Sequence, residues 1–319
     1  MNTIIVPLDG SALAQQALPY ARSLAALTGA QIHMMQVIPE QRVASVYTPV
    51  LAEAYIVGDD PAAALERDRM QLMDALKSQA ATYLAGQAQA MRAKNVNVDI
   101  EVYVGDPAET IVEIAETKPA AWIVMATHGY SGLRRWTLGS VTDKVVHAAS
   151  VPVFVARSGP VAPPSRVQFR HILVPLDGSE LSLQALPLAV ELAKTSDASL
   201  TLVRAISPTA DVWTGTALAG LPPIPYDDVY QALHAQARSE IEAIADKLTA
   251  QGFRVHTVVE SAVAADAIIA EAHRCKADLV VMATHGRGGL RRWALGSVAD
   301  KVLHATVTPL LLVRAWHAN

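Results

Sequence analysis

Residues 125–148 read MATHGYSGLRRWTLGSVTDKVVHA, and residues 282–305 read MATHGRGGLRRWALGSVADKVLHA. The two stretches are identical at 19 of 24 positions, which indicates a duplicated domain. Each stretch passes from a short apolar segment through a glycine-rich turn into the start of a helix. Backbone amides at such a turn can hold a phosphate, so the repeat predicts a pair of nucleotide sites.

A second repeated stretch marks the beginning of each half. Residues 6–11 (VPLDGS) return as residues 174–179, which is 168 positions later, whereas the glycine turns are 157 positions apart. The first half therefore holds 11 extra residues between its two motifs. We expect them in a long irregular loop between Pro39 and Pro61, whose counterpart is the glycine- and proline-rich segment 215–225.

The composition limits the class of protein. The chain has 319 residues, 51% of them hydrophobic, and a formal net charge of −4, which suits two soluble globular domains. This balance disfavours nucleic-acid binding and acidic disorder. The single cysteine, Cys275, fits a reducing cytosol, and no apolar run reaches the roughly 18 residues that span a bilayer. We therefore expect a cytoplasmic protein with neither a nucleic-acid nor a membrane partner.

The domain boundary follows from local composition. Residues 158–165 (SGPVAPPS) are typical of an extended linker, because prolines exclude a helix and small residues offer little to bury. We place the first domain at residues 1–158, the linker at 159–168 and the second domain at 169–319.

Strands and helices alternate in each half. Pro19 lies inside the first helical pattern and predicts a kink there. Five apolar strands separated by helices favour a parallel sheet that is covered on both faces, so the fold class is α/β. In the first half the predicted strands are residues 3–8, 32–38, 98–104, 122–126 and 153–156.

Ligands of open parallel sheets bind beyond the carboxyl ends of the strands. Asp9 follows the first strand, Val37 lies near the end of the second, and residues 126–129 follow the fourth. A helix starting at Gly139 and Ser140 would add the unpaired amides of residues 139–142 and the positive end of its dipole. This arrangement favours an anionic ligand.

Generic nucleotide motifs are missing from the sequence: there is no GxxxxGK[ST] and no GxGxxG after the first strand. The sequence has instead Gly-x9-Gly-Ser after an apolar strand, at residues 129–140 and 286–297, each beside VPLDGS. This combination resembles the universal stress protein (UspA-like) family, whose nucleotide-binding members carry Gly-x2-Gly-x9-Gly-Ser/Thr. The resemblance covers nearly the whole chain as two copies, so the chain is similar to a tandem member of the ATP-binding branch.

The resemblance implies a fold and a ligand. The fold is that of the adenine-nucleotide alpha-hydrolases, with a five-stranded sheet in the order 3-2-1-4-5 in each half. The ligand is ATP, or AMP or ADP, often with Mg2+ or Mn2+. In the first half the resemblance places around it Pro7, Leu8, Asp9, Val37, Met125, Ala126, Gly129, Gly139, Ser140, Val141 and Thr142. In the second half the matching positions are Pro175, Leu176, Asp177, Ala205, Met282, Ala283, Gly286, Gly296, Ser297 and Val298.

The chain departs from the family pattern in three places. Alanine replaces the first motif glycine in both halves, at Ala126 and Ala283. Residues 105–107 (GDP) of the first half correspond to residues 262–264 (AVA) of the second. Thr142 corresponds to alanine, which removes a hydroxyl that could contact a phosphate or a metal-bound water. We therefore rank the first site above the second.

Simpler structural roles compete with these assignments. Asp9 and Asp177 could serve only to cap a turn, and Ser140 and Ser297 could serve only as helix caps, because these residue types are favoured there without a ligand. His128 and its repeat lack a second ligand at metal spacing, so we assign no metal ligand and no catalytic residue.

Three functions remain open. The first is a stress-response protein whose assembly or partner binding is regulated by an adenine nucleotide. The second is a slow ATPase or nucleotidyl transferase, and the third is a nucleotide-free interaction module. The resemblance also implies that the last strands, residues 153–155 and 310–313, pair the two halves as a pseudo-dimer, and a homodimer is possible.

Overall fold

The computed structural model describes residues 2–40, 61–127, 138–157, 167–206, 226–284 and 295–314. The two predicted long loops, most of the predicted linker and the turns that contain Gly129 and Gly286 lie outside these residues. Contacts between residues divide the chain into two compact units.

The first unit contains the elements from the start of the chain to the helix after the first glycine turn. A 3-10 turn at Ala14–Ala17 precedes the first helix. The elements are β1 (Thr3–Pro7), α1 (Leu18–Thr28), β2 (Gln31–Ile38), α2 (Pro61–Arg92), β3 (Val98–Val104), α3 (Pro107–Thr117), β4 (Ala121–Ala126) and α4 (Ser140–Ala148).

The second unit begins with the last strand of the first repeat and continues through the second repeat. Its elements are β5 (Val153–Ala156), β6 (His171–Pro175), α5 (Glu180–Leu183), α6 (Leu186–Ser196), β7 (Ser199–Ile206), α7 (Tyr226–Ala250), β8 (Val255–Ser261), α8 (Ala264–Arg274), β9 (Leu279–Ala283), α9 (Ser297–Ala305) and β10 (Leu310–Val313).

In the first unit the strands follow the order β3-β2-β1-β4 and run parallel. Pro7 of β1 lies opposite Met35 of β2, and Ile5 lies opposite Ile123 of β4. In the second unit the order is β10-β9-β6-β7-β8, again parallel, which is 3-2-1-4-5 read from the far end. The α/β fold and its strand order are therefore confirmed.

The last strand of the first repeat, β5, belongs to the second unit. It pairs antiparallel with β10, where Phe154 lies opposite Leu311. Phe154 also contacts Phe169 edge to face, with ring centroids 6.1 Å apart. The two short apolar edge strands satisfy their backbone groups by pairing with each other. The pairing of the two last strands is as the family resemblance implies.

Arg157, directly after β5, ties this strand to the end of helix α9. Its guanidinium donates to the carbonyl oxygens of Val302, at 3.5 Å, and Leu303. Burial lowers the pKa of Arg157 to about 10, which leaves it charged at neutral pH. A cation at the carboxyl end of a helix stabilises the unpaired carbonyl groups of the last turn.

Helix α1 begins at Leu18, after the 3-10 turn at Ala14–Ala17. The kink predicted at Pro19 is wrong, since Pro19 lies in the first turn of α1, after the separate 3-10 turn. Proline is tolerated at this place because the amides of a first turn have no partner inside the helix. Gly29 ends α1 with φ of 71°, a left-handed conformation that glycine adopts without steric cost.

The core lies on both faces of the strands. Every residue of β4, β5, β9 and β10 is buried, as expected for continuous apolar strands. Within the described parts of the chain, no helix is long and apolar enough to cross a membrane.

Candidate functional site

The turn after β1 is held together by Asp9. The backbone amide of Ser11 donates to the Asp9 carboxylate at 2.9 Å, and the Ser11 hydroxyl accepts from the amide of Ala14 at 3.0 Å. Gly10 between them has φ of 88°, which an L side chain rarely adopts. Asp9 therefore caps this turn, and its position at the carboxyl end of β1 still allows contact with a ligand.

The corresponding turn after β6 is more tightly bonded. Both the amide and the hydroxyl of Ser179 donate to the Asp177 carboxylate, at 2.9 and 2.6 Å. The hydroxyl of Ser182 bonds to this turn as well, since it donates to the Ser179 carbonyl at 2.8 Å. The second turn is thus organised by its own serines.

The parallel register brings the predicted residues of each half to one edge of its sheet. The amide of Leu8 donates to the carbonyl of Met35 at 2.8 Å. Met35 lies two residues before Val37 on β2, so the turn after β1 begins close to Val37. Because Ile5 pairs with Ile123, Pro7 lies level with Met125. In the second half the matching residues Pro175, Leu176, Ala205, Met282 and Ala283 stand in the same register.

Several residues at this edge of the sheet have buried side chains, so a ligand would contact their backbone atoms. Leu8, Met125 and Ala126 are each less than a tenth exposed. Met282 and Ala283 are buried in the same way. These buried residues lie at the carboxyl ends of the strands, and Asp9 and Val37 beside them are half-buried.

The start of helix α4 lies next to the end of β4. The Gly139 amide donates to the carbonyl of Thr127 at 2.7 Å, so the expectation that this amide is unpaired is wrong. The reason is that the chain turns back onto the end of β4 before the helix begins. The amides of Ser140, Val141 and Thr142 belong to the first turn, where no helical acceptor exists, and Gly139 supplies no side-chain cap.

Helix α9 starts in the same way. The Gly296 amide donates to the Thr284 carbonyl at 2.8 Å. Ser297 and Val298 are exposed in the first turn of α9, as Ser140 is in α4. The two helix starts therefore offer the same pattern of backbone donors, while Gly129 and Gly286, which precede them, lie outside the described residues.

Thr142 differs from its counterpart Ala299 in a structural contact. Its hydroxyl is buried and donates to the carbonyl of Ala126 at 2.9 Å. This bond ties the first turn of α4 to the end of β4. The hydroxyl hydrogen of Thr142 is used in this bond to Ala126, while its hydroxyl oxygen can still accept a hydrogen bond.

Asp106 caps helix α3 in the first half. Its carboxylate accepts from the amides of Ala108, at 2.9 Å, and Glu109, at 3.1 Å, and lies 3.6 Å from Lys144. The Glu109 amide is the main cause of the lowered pKa of Asp106, with Ala108 and Lys144 acting in the same direction. The second half has Val263 at this place, 56% exposed and without a side-chain cap.

We expect Asp106→Ala to lower the free energy of unfolding by about 1 kcal/mol at pH 7, as for other lost helix caps. The folded pKa of Asp106 lies below its ordinary value of 3.8, so its stabilisation exists above that value and is lost as the pH falls through the folded pKa. Urea unfolding at pH 7 and pH 3 measures this, with Val263→Ala as the matched control. If the difference in unfolding free energy between wild type and Asp106→Ala were larger at pH 3 than at pH 7, the role of Asp106 as a charged helix cap would be contradicted.

Two residues of the second half that the sequence patterns did not single out also belong to this region. Arg204, on β7, is buried, and its Nη1 lies 2.6 Å from the carboxylate of Glu240 on α7. A Cβ built on Gly178 would lie 2.8 Å from the Arg204 Cζ, so the guanidinium packs directly against the turn that follows Asp177. Comparison of the two halves position by position could have found them, because the first half has Gln36 and Tyr83 instead.

Within the described ranges, no group of histidine, cysteine, aspartate and glutamate side chains could hold a metal ion. The single cysteine, Cys275, is a free thiol, and burial raises its pKa. The candidate ligand groups at the strand ends of the two halves are backbone amides, hydroxyls and the carboxylates of Asp9 and Asp177.

Comparison with known proteins identifies the family. The model of the universal stress protein family matches residues 1–157 and 168–314. A universal stress protein of Mycolicibacterium smegmatis is 28% identical over 315 residues, covering 98% of this chain and 96% of that protein. Universal stress protein Rv2005c of Mycobacterium tuberculosis is 30% identical over 226 residues, covering 69% of this chain and 70% of that protein.

Solved structures agree with the fold. The crystal structure of a universal stress protein from Archaeoglobus fulgidus has a TM-score of 0.68 and 20% sequence identity, and the match covers 98% of both chains. Two family matches, one over each repeat, together span almost all of the sequence. The chain therefore belongs to the universal stress protein family and contains two copies of its domain.

Proposed function

We propose that the protein binds an adenine nucleotide, ATP or else ADP or AMP, at the carboxyl ends of the strands of its first half. The observation that carries this proposal is the meeting of the Asp9 turn, the end of β2 at Val37 and the start of helix α4 at one edge of a parallel sheet. Parallel α/β sheets bind ligands at this edge.

The helix start supports a phosphate as the anionic group. Ser140, Val141 and Thr142 present first-turn amides at the positive end of the α4 dipole, and Ser140 adds an exposed hydroxyl. Gly139 has no Cβ to hinder close approach. The proposed Mg2+ or Mn2+ would bind together with the nucleotide, since phosphate oxygens are ligands that such hard cations prefer.

The second half supports a weaker site or a structural role. Its helix start and its Asp177 turn have the same backbone geometry. However, Val263 replaces the cap Asp106, and the cationic Arg204 side chain fills the room beside the turn. A nucleotide-free interaction role, the third of the hypotheses from the sequence, is therefore favoured for this half.

We further propose that occupancy regulates assembly or partner binding in the cytoplasm, and that binding rather than turnover is the activity. Antiparallel pairing of β5 with β10 supports the proposed intramolecular pseudo-dimer. A homodimer would add a second copy of the chain, and gel filtration with and without ATP tests it. Release of phosphate from ATP, measured in the same samples, tests the alternative of a slow ATPase.

A negative charge introduced at the start of helix α4 tests the proposed nucleotide site. Ser140→Glu places a carboxylate where the phosphates would bind, yet an acidic residue in a first turn stabilises the helix. We expect at least about tenfold weaker binding of ATP and magnesium, which is about 1.4 kcal/mol, with an unchanged or raised melting temperature. Calorimetry gives the affinity and the number of nucleotides per chain.

Ser297→Glu is the matched control in the second half, because Ser297 is the exposed first residue of helix α9. We expect it to change ATP affinity by less than the first-half variant does. Wild-type protein that shows neither heat of binding nor a rise in melting temperature with millimolar ATP would overturn the proposal, because a ligand of the folded state must stabilise it.

A further inference from the structure

Each half of the chain has an edge strand, β3 in the first half and β8 in the second. β8 pairs in parallel with β7, and among the described strands no other lies beside it. An edge strand presents a row of backbone N–H and C=O groups that can pair with another chain. The side chains of the two edges differ, and they decide which edge is suited to such pairing.

The backbone register shows which groups of β8 face outward. The amide of Leu200 on β7 donates to the carbonyl of Arg254 at 2.8 Å. In a parallel pair every second residue of a strand bonds to the same neighbour, so His256, Val258 and Glu260 bond to β7 as well. The residues whose backbone groups point away from β7 are therefore Val255, Thr257, Val259 and Ser261.

Three side chains on one face of β8 determine the chemistry of this edge. His256 is exposed, and Val258 and Glu260 are half-buried. Among the described residues, neither His256 nor Glu260 has a hydrogen-bond or salt-bridge partner. A hydrogen-bond donor, an apolar group and a carboxylate acceptor thus follow one another along the strand.

This order of side chains is complementary to itself. If Val258 lies opposite Val258 of a second copy in an antiparallel pair, His256 of each copy lies opposite Glu260 of the other. The outward-facing backbone groups then form the hydrogen-bonded pairs, and these side chains fall at the narrower positions between them. An imidazole N–H can donate to a carboxylate in the neutral and in the charged form of histidine.

The edge strand of the first half is not complementary to itself. Asp99 and Glu101 occupy the positions of His256 and Val258, and both carboxylates are about half exposed. The same register would place Glu101 opposite Glu101 of a second copy, and like charges directly opposite each other are destabilising. Charged side chains on an edge strand prevent edge-to-edge pairing in many proteins. The second half lacks this protection at Val258.

We propose that two copies of the chain associate through β8, as an antiparallel β8–β8 pair centred on Val258. The proposal rests on the homodimer of the proposed function and identifies its surface. β8 has seven residues, so the interface is small, and we expect a reversible dimer with a dissociation constant in the micromolar range. The test uses the chain without nucleotide, so failure of the dimer and failure of nucleotide binding are distinguishable.

Sedimentation equilibrium of the full chain, from low to high micromolar concentration, measures the association. Val258→Glu gives β8 the carboxylate that β3 has at Glu101, and it should weaken the dimer at least about tenfold. Val307→Glu is the matched control, because Val307 is 68% exposed and lies outside β8. It should leave the dissociation constant unchanged. A wild-type chain that stays monomeric, or that assembles beyond a dimer, would overturn the proposal.

Exchange of the two polar side chains tests the register. His256→Glu places a carboxylate opposite Glu260 and should weaken the dimer at least about tenfold. Adding Glu260→His to the same chain restores both pairs in reversed order and should recover the wild-type dissociation constant. Thermal melts confirm the folding of each variant, and if Val258→Glu does not fold, the exchange decides. A double variant that dimerises as weakly as His256→Glu alone would refute the proposed pairing.

Discussion

Replacing Phe154 by alanine is expected to lower the free energy of unfolding by about 3–5 kcal/mol, as for other fully buried phenylalanines. Phe154 is 0% exposed, lies on β5, and packs edge to face on Phe169. An aromatic pair of this kind adds about 0.5–1.5 kcal/mol beyond the burial of apolar area. The substitution therefore removes both the ring and its partner contact. Chemical denaturation followed by circular dichroism measures the change.

The control for Phe154→Ala is Val307→Ala, which truncates a side chain that is 68% exposed and should change stability by less than about 0.5 kcal/mol. Phe169→Ala should cost nearly as much as Phe154→Ala, and the double variant should cost less than the sum, because the two rings share one contact. A cost below about 1 kcal/mol for Phe154→Ala would mean that β5 is not part of the core of the second unit.

Gly178→Ala is expected to cost far more stability than Gly10→Ala, although both glycines occupy the same turn of the repeat. Both have positive φ, 80° and 88°, so each alanine carries the strain of a left-handed conformation, about 1–2 kcal/mol. Only at Gly178 does the new methyl group also overlap the Arg204 guanidinium. Displacing that buried cation from Glu240 brings the expected cost to about 3–5 kcal/mol.

The double variant Gly178→Ala with Arg204→Ala separates strain from overlap. Removing the arginine makes room for the methyl group, so the double variant should be more stable than the sum of the single costs allows. Urea unfolding of the single and double variants measures this coupling. Equal costs for Gly10→Ala and Gly178→Ala would contradict the packing of Arg204 on the turn.

Much of the fold could be predicted from the sequence because its signals are local and occur twice. The predicted strands at residues 98–104 and 153–156 have the observed bounds, since a short apolar run between turn residues leaves little choice of structure. The prediction of a kink at Pro19 was wrong because proline has two roles in helices. It disrupts the interior of a helix, but it is favourable in the first turn. Deciding between these outcomes requires the packing that starts the helix.

The positions of the candidate site residues along the backbone could be predicted from the sequence, but their hydrogen bonds could not. The positions of Asp9, Val37 and Ser140 follow from the rule for parallel sheets and from the repeated motif. That the Gly139 amide is already bonded to Thr127 could not be read from the motif, because the acceptor is a carbonyl group and every residue carries one. The same holds for the bond from Thr142 to Ala126.

A tandem repeat of one α/β domain is evident from the amino-acid sequence alone, because near-identity over a whole strand, turn and helix leaves no other explanation. The pairing of β5 with β10 and the packing of the Arg204 guanidinium against Gly178 could not be predicted in this way. The difference lies in the range of the interactions. Hydrophobic periodicity acts between neighbours in sequence, whereas an edge strand and a buried guanidinium find their partners only in the folded chain.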